Sequence, residues 1–157
     1  MTRARVDHVG IAVRDIEDAE PLLELLGCEK LTETADEEVG YTWAYYALGD
    51  ASRLELIEPL PDRESFLTDY LDEHGPGLHH VTLEVSDLDA MVARLEAGGV
   101  RVVDRADRDG YSEAFVSPRE MGALVQLMEY RPEYAEAYGA DMFVREHRLT
   151  DEDREEP

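Results

Sequence analysis

Lysine is almost missing from this chain. Lys30 is the only one among 15 basic residues, which face 38 acidic ones, and the formal net charge is -23. Scarce positive charge argues against nucleic acid and anionic membranes as partners, because phosphate-rich surfaces are held by patches of Lys and Arg. So acidic a surface repels itself at low ionic strength and gains from screening. Together with the near absence of lysine, it fits a halophilic protein from a salt-accumulating cell. Cysteine is also scarce: Cys28 is the only one. No internal disulfide can form, and a reducing cytoplasm is compatible. No apolar run reaches the length of a membrane-spanning helix. The N-terminal MTRARVDHV leads into a strand with no apolar leader core, so a cytoplasmic protein is expected. A Gly-rich phosphate loop is lacking too.

What the chain does have is an internal repeat. VDHVGIAVRDIEDAE at residues 6–20 aligns with LHHVTLEVSDLDAMV at 78–92, matching His8 to His80, Val9 to Val81, Val13 to Val85 and Asp15 to Asp87. Later, RLELIEP at 53–59 aligns with LVQLMEY at 124–130, matching Glu55 to Gln126. The offsets are 72 and 71, so the register holds across the whole half. A repeat of this kind decides the architecture and is read before any single element.

Each half reads β-α-β-β-β. RVDHVGIAV alternates as a half-buried strand. A helix then starts at Asp15 as N-cap, keeps Ile16, Ala19, Leu22, Leu23 and Leu26 on one face, and stops at Gly27. Strands follow around CEKLTET, YTWAYYALG and RLELIEP, with TADEEVG as a loop and Gly49-Asp50 as a turn. The second half repeats this with HVTLEV, a helix capped by Asp87 and ended by Gly98, and strands in VRVVDRAD, EAFVSP and ALVQLMEY. DRDGYS reads as its loop. The fold class is therefore α+β: two modules forming a curved eight-stranded mixed sheet around a metal cleft. The expected boundaries are 1–62 for the first module, 63–76 for a linker helix, 77–130 for the second module and 131–157 for an acidic extension with a disordered end.

Because side chains alternate along strands, the repeat places His8, Glu55, His80 and Gln126 at matching positions. Four polar groups gathered in an apolar setting are costly unless something satisfies them. Two imidazoles, a carboxylate and a carboxamide suit a divalent ion of Zn, Co, Ni, Mn or Fe. Positions left open on such an ion admit water or a bidentate substrate, which points to catalysis rather than structure.

At these residues the chain resembles a known family. DHVGIAV, LELIEPL followed by a helix, GLHHVTLEV and the closing GALVQL are similar to the vicinal oxygen chelate superfamily, and within it to the methylmalonyl-CoA epimerases. The resemblance covers residues 5 to about 130. It implies His8, Glu55, His80 and Gln126 as metal ligands, an acyl-CoA substrate and a homodimer. In those epimerases the second closing strand usually carries Glu and the first Gln; here they are exchanged. The exchange is nearly neutral for holding a metal. It removes a proton handler, because Gln126 cannot transfer a proton at ordinary pH. The resemblance also implies Glu38, in DEEVGYTW, as a catalytic base. Glu55 is a candidate to both ligate and shuttle a proton, and Asp109 and Glu113, in the corresponding loop of the second half, are candidates for the opposite face.

The expected function is metal-dependent epimerisation of methylmalonyl-CoA or a similar acyl-CoA, by C2 proton abstraction. The alternatives are a glyoxalase I-like lyase, an Fe(II) dioxygenase, or a non-catalytic small-molecule binding protein on the same scaffold. His79 is expected to face away from His80. His74 suits a helix C-terminus, and His147 lies in the tail. Trp43, Tyr45 and Tyr46 read as strand packing, and Cys28 has no evident base beside it. Arg53, Arg101, Arg105, Arg108 and Arg119 are the cations available to a CoA.

Overall fold

The computed structural model describes residues 2–48 and 52–138. Gly49-Asp50, His147 and the expected disordered end lie outside the described residues. The elements are β1 (Ala4–Ala12), α1 (Ile16–Leu25), β2 (Glu29–Asp36), β3 (Tyr41–Leu48), β4 (Ser52–Pro59), α2 (Phe66–His74), β5 (Gly77–Val85), α3 (Leu88–Ala97), β6 (Val102–Arg108), β7 (Tyr111–Val116), β8 (Leu124–Tyr130) and α4 (Glu133–Tyr138). The eight strands form a mixed sheet in the order β2-β3-β4-β1-β5-β8-β7-β6, as the α+β reading anticipates. By packing, the chain divides into two units: residues 9–79, and residues 1–8 together with those from 80 onward.

In the first unit, β2, β3 and β4 pair antiparallel, with Tyr45 opposite Glu55 and Trp43 opposite Ile57. The aromatic and β-branched run of β3 suits this central position. Asp15 caps α1, its carboxylate accepting the Asp18 N–H at 3.3 Å. Gly27 follows the helix at φ +81, a left-handed conformation that glycine adopts without strain. Ile16 and Leu23 pack with Ala44, Tyr46 and Leu56. Leu67 and Leu71 of α2 pack with Ala12 and Ile57. Burial of side chains of this size stabilises by about 1.5–3 kcal/mol each.

The second unit repeats the plan. β5 and β8 run parallel, and β6, β7 and β8 pair antiparallel. Asp87 caps α3 through the Ala90 N–H at 2.8 Å. Gly98 stands at its C-cap, and the positive φ falls one residue later, at Gly99. Leu88 and Val92 pack with Val85, Ala114, Val116, Val125 and Leu127. A further device is duplicated. Glu58 of β4 accepts the first helical N–H of α1, from Ile16, at 2.6 Å, and Glu129 of β8 does the same for Leu88 of α3 at 2.8 Å. Each helix start is tied to the closing strand of its own repeat.

Two loop readings shift. β2 continues to Asp36, and the loop at 107–112 shrinks to Asp109-Gly110 between β6 and β7, so that β7 begins at Tyr111, two residues before the expected EAFVSP strand. Gly110 cannot be replaced freely. Its φ is +82, and a Cβ there would come within 2.5 Å of the Tyr134 backbone. Tyr134 of α4 is buried against Tyr130 and Tyr111, with ring centroids at 4.7 and 5.5 Å. The extension is therefore docked as far as α4.

Candidate metal centre

His8 and His80 occupy matching places on β1 and β5, buried at 1% and 7% exposure. Their rings meet edge to face, with centroids 5.6 Å apart. His79, one residue before His80, turns instead to α2, against Tyr70 at 4.6 Å and Phe66 at 5.8 Å. It faces away from His80, as alternation along a strand requires. His74 ends α2 exposed and stacked on Tyr70.

His8 is held by its neighbours. Asp7, also buried, lies 2.7 Å from His8 Nδ1. A carboxylate accepts there, so Nδ1 carries the proton and Nε2 is left to face a ligand. Asp7 is itself fixed by the Tyr130 hydroxyl at 2.9 Å and by Arg5 at 3.1 Å; Arg5 also donates to Glu84 at 2.7 Å. On the other side, His8 Nε2 lies 2.9 Å from the hydroxyl of Thr82, which also donates to Gln126 Oε1 at 2.6 Å. Thr82 stands opposite Gln126 in the β5–β8 register and is fully buried. Gln126 Nε2 in turn donates to Glu113 at 2.9 Å. A continuous polar chain thus runs from Arg5 to Glu113, and His8 sits within it.

Glu55, on β4, is buried at 8% exposure. Two residues earlier, on the same face of the strand, Arg53 is 2% exposed and lies over the Tyr45 ring at 4.5 Å. His8 and His80 belong to one unit and Glu55 to the other; all three are buried, and each offers an atom of the kind that a metal takes. Two imidazoles and a carboxylate, all on buried residues, supply donors fit for a divalent ion. A second observation agrees. The Thr82 hydroxyl has one proton and faces two acceptors, Gln126 Oε1 and, in the tautomer set by Asp7, His8 Nε2. A cation at Nε2 would take up that lone pair and leave the proton to Gln126.

Within one unit the structure thus brings His8 and His80 together and joins Gln126 to His8 through Thr82, while Glu55 is buried on β4 of the other unit. Glu38 is exposed on the turn between β2 and β3, where its N–H donates to Asp36 at 2.9 Å. Asp109 is exposed in the hairpin turn, whereas Glu113 is buried. Asp7, Thr82 and the burial of Arg53 escape sequence reasoning, because none of the three has a like residue at the matching place in the other repeat. Among the described residues, no helix is long and apolar enough to cross a membrane.

Three kinds of likeness to known proteins bear on this centre. Residues 7–116 match the glyoxalase/bleomycin resistance protein/dioxygenase superfamily. The chain is 38% identical over 130 residues to the uncharacterised protein YqjC of Bacillus subtilis, covering 80% of this chain and 91% of that one. In structure it is similar to the methylmalonyl-CoA epimerase of Mycobacterium tuberculosis, with a TM-score of 0.73 and 36% identity over 83% of this chain and 91% of that one. A methylmalonyl-CoA epimerase of Streptomyces coelicolor, solved as a variant in complex with 2-nitronate-propionyl-CoA, gives a TM-score of 0.71 and 31% identity, covering 80% of this chain and 96% of that one.

Proposed function

Because this chain belongs to the glyoxalase/bleomycin resistance protein/dioxygenase superfamily, we propose that it is a divalent-metal-dependent epimerase of methylmalonyl-CoA or a closely similar acyl-CoA. The observation that carries the reading is the buried pair His8 and His80, edge to face at 5.6 Å, with Asp7 on His8 Nδ1 and Thr82 joining His8 Nε2 to Gln126. It stands on a scaffold whose solved relatives include epimerases, one of them holding a propionyl-CoA analogue.

His8, Glu55 and His80 would hold the ion, with Gln126 as a fourth oxygen donor. A bound divalent ion supplies Lewis-acid stabilisation of the negative charge that develops on the thioester oxygen as the C2 proton leaves. The chain's own groups do the rest. Asp7 keeps the His8 ring oriented. Glu38 accepts the C2 proton from one face as general base. Glu55, a carboxylate at the centre itself, is the proton donor for the other face. Arg53 brings a buried cation onto the strand face of Glu55, in a chain otherwise short of positive charge for an anionic substrate. The acidic, lysine-poor surface supports a cytoplasmic protein of a high-salt cell, and a homodimer is the expected assembly.

The test is exchange of the C2 proton of methylmalonyl-CoA in heavy water, followed by NMR in molar KCl with Co(II) supplied. Exchange that needs the ion and disappears in Glu38→Gln supports the reading. Tight one-to-one Co(II) binding without exchange moves the function to a lyase or dioxygenase. Absence of metal binding makes the chain a small-molecule binding protein.

A further inference from the structure

Glu113 is the one carboxylate of the expected second-half loop that the structure buries, at 7% exposure. It stands on β7 opposite Met128, the register place that Trp43, opposite Ile57, holds in the first repeat. An apolar ring at one copy of the position and a charge at the other call for a reason, since burying a carboxylate is costly unless it is paired and hydrogen-bonded. Both of its oxygens are engaged. Oε1 accepts from Arg108 Nε at 3.2 Å, and Oε2 accepts from Gln126 Nε2 at 2.9 Å.

The second contact determines which end of the Gln126 amide faces which way. The two ends of a carboxamide are almost equal in size and its last torsion is soft, so packing alone cannot tell them apart. A carboxylate has no proton to give, so it takes the nitrogen end. The carbonyl oxygen is then turned to the opposite side, where Thr82 donates to it at 2.6 Å and where the same hydroxyl lies 2.9 Å from His8 Nε2. The distinction matters at a metal. A carbonyl oxygen is a ligand, whereas an amide nitrogen, its lone pair delocalised, is not.

We propose that Glu113 is a positioning residue that makes Gln126 a metal ligand: it holds the amide nitrogen and so presents Oε1 to the ion at His8. This rests on the metal-site reading of His8, Glu55 and His80. It also explains how the second repeat manages with a neutral ligand. Its negative charge sits one strand over, on β7, and acts on the ion through the polarised amide.

The test titrates the metal-free protein with Co(II), reading affinity by calorimetry and ligand set by the visible Co(II) bands. The variants are Glu113→Met, of similar length and unable to accept, and Glu113→Gln, whose carbonyl oxygen still can. Glu113→Met should bind Co(II) about ten- to a hundredfold more weakly, the range for loss of a group that orients a metal ligand, with altered bands. Glu113→Gln should recover most of the affinity and the original bands. Wild-type affinity and bands in Glu113→Met would overturn the proposal, as would a Glu113→Gln protein as weak as Glu113→Met. Where either variant fails to fold, the wild-type chain still decides. The side-chain amide resonance of Gln126 must shift on saturation with Zn(II), and an unmoved resonance sinks the proposal. Failure of the wild-type protein to take up Co(II) or Zn(II) would instead defeat the metal-site reading itself, and this inference with it.

Discussion

The two repeats agree in their frames and differ in their polar insertions. Asp15 and Asp87 cap the helices, Glu58 and Glu129 accept the first helical N–H, and His8 and His80 stand at matching places within β1 and β5. The differences cluster around one position. The first repeat has Glu55 opposite Tyr45, with Trp43 beside it; the second has Gln126 opposite Phe115, with Glu113 beside it. One half carries its charge on the candidate ligand Glu55, and the other carries it on Glu113, the hydrogen-bonded neighbour of Gln126. A duplicated frame can therefore keep its geometry while the charge moves by one strand, held there by a charge-assisted hydrogen bond from the Gln126 amide.

The largest expected break comes at the shared histidines. His80→Ala should abolish stoichiometric Co(II) binding and C2 proton exchange, whereas Gln126→Ala should weaken binding about ten- to a hundredfold; equal loss from both would mean that the halves contribute alike. Glu55→Gln makes the first half as neutral as the second and should cost more affinity than Gln126→Ala in the same titration. For stability, Gly110→Ala should be the costliest of the turn changes, at about 3 kcal/mol in urea unfolding, because the added Cβ meets the Tyr134 backbone. Gly40→Ala, whose Cβ would meet only the Ser65 side chain at 3.2 Å, should cost about 1–2 kcal/mol. Asp15→Ala and Asp87→Ala should each cost about 1 kcal/mol, and a twofold disparity would show that the caps are not equivalent.

The smallest effect is a pH slope. Burial, opposed by the Ile16 N–H and reinforced by Asp15, Glu33 and Glu17, raises the Glu58 carboxyl above its ordinary 4.5. The folded state therefore holds that proton more firmly. Its contribution is full below pH 4.5 and is lost as pH rises through the raised value. Glu20 runs the other way. Lys30 and the Tyr46 hydroxyl hold its carboxyl below 4.5, so its contribution is present above that pH and is lost as pH falls through the lowered value. Glu58→Gln should flatten the first slope and Glu20→Gln the second, each read from urea midpoints across pH 3 to 6.

Much of the fold was legible because the repeat states everything twice. Asp-X-X caps, helix-ending glycines and alternating strands recur at one offset, and a local signal read twice in register is hard to misread. The errors fall where a turn is shorter than its polar sequence suggests. Asp109-Gly110 is a two-residue hairpin signal; taken as such, it would have shortened the expected loop at 107–112 to its two central residues. The ligand candidates were legible for the same reason as the fold. Asp7, Thr82 and Arg53 were not, since a single polar residue in a strand gives no local sign of what it will face.

From sequence alone came the α+β plan, the cap and stop of each helix, the matched places of His8, Glu55, His80 and Gln126, and the acidic, lysine-poor surface. These depend on periodicity, backbone preference and composition, all of which are local. Only the tertiary structure decided which buried polar groups meet: Asp7 on His8, Thr82 between His8 and Gln126, and Glu113 on the Gln126 amide. The reason is physical. A hydrogen bond between strands far apart in sequence is selected by register and burial, and the cost of leaving such a group unpaired is incurred only once the chain has closed around it.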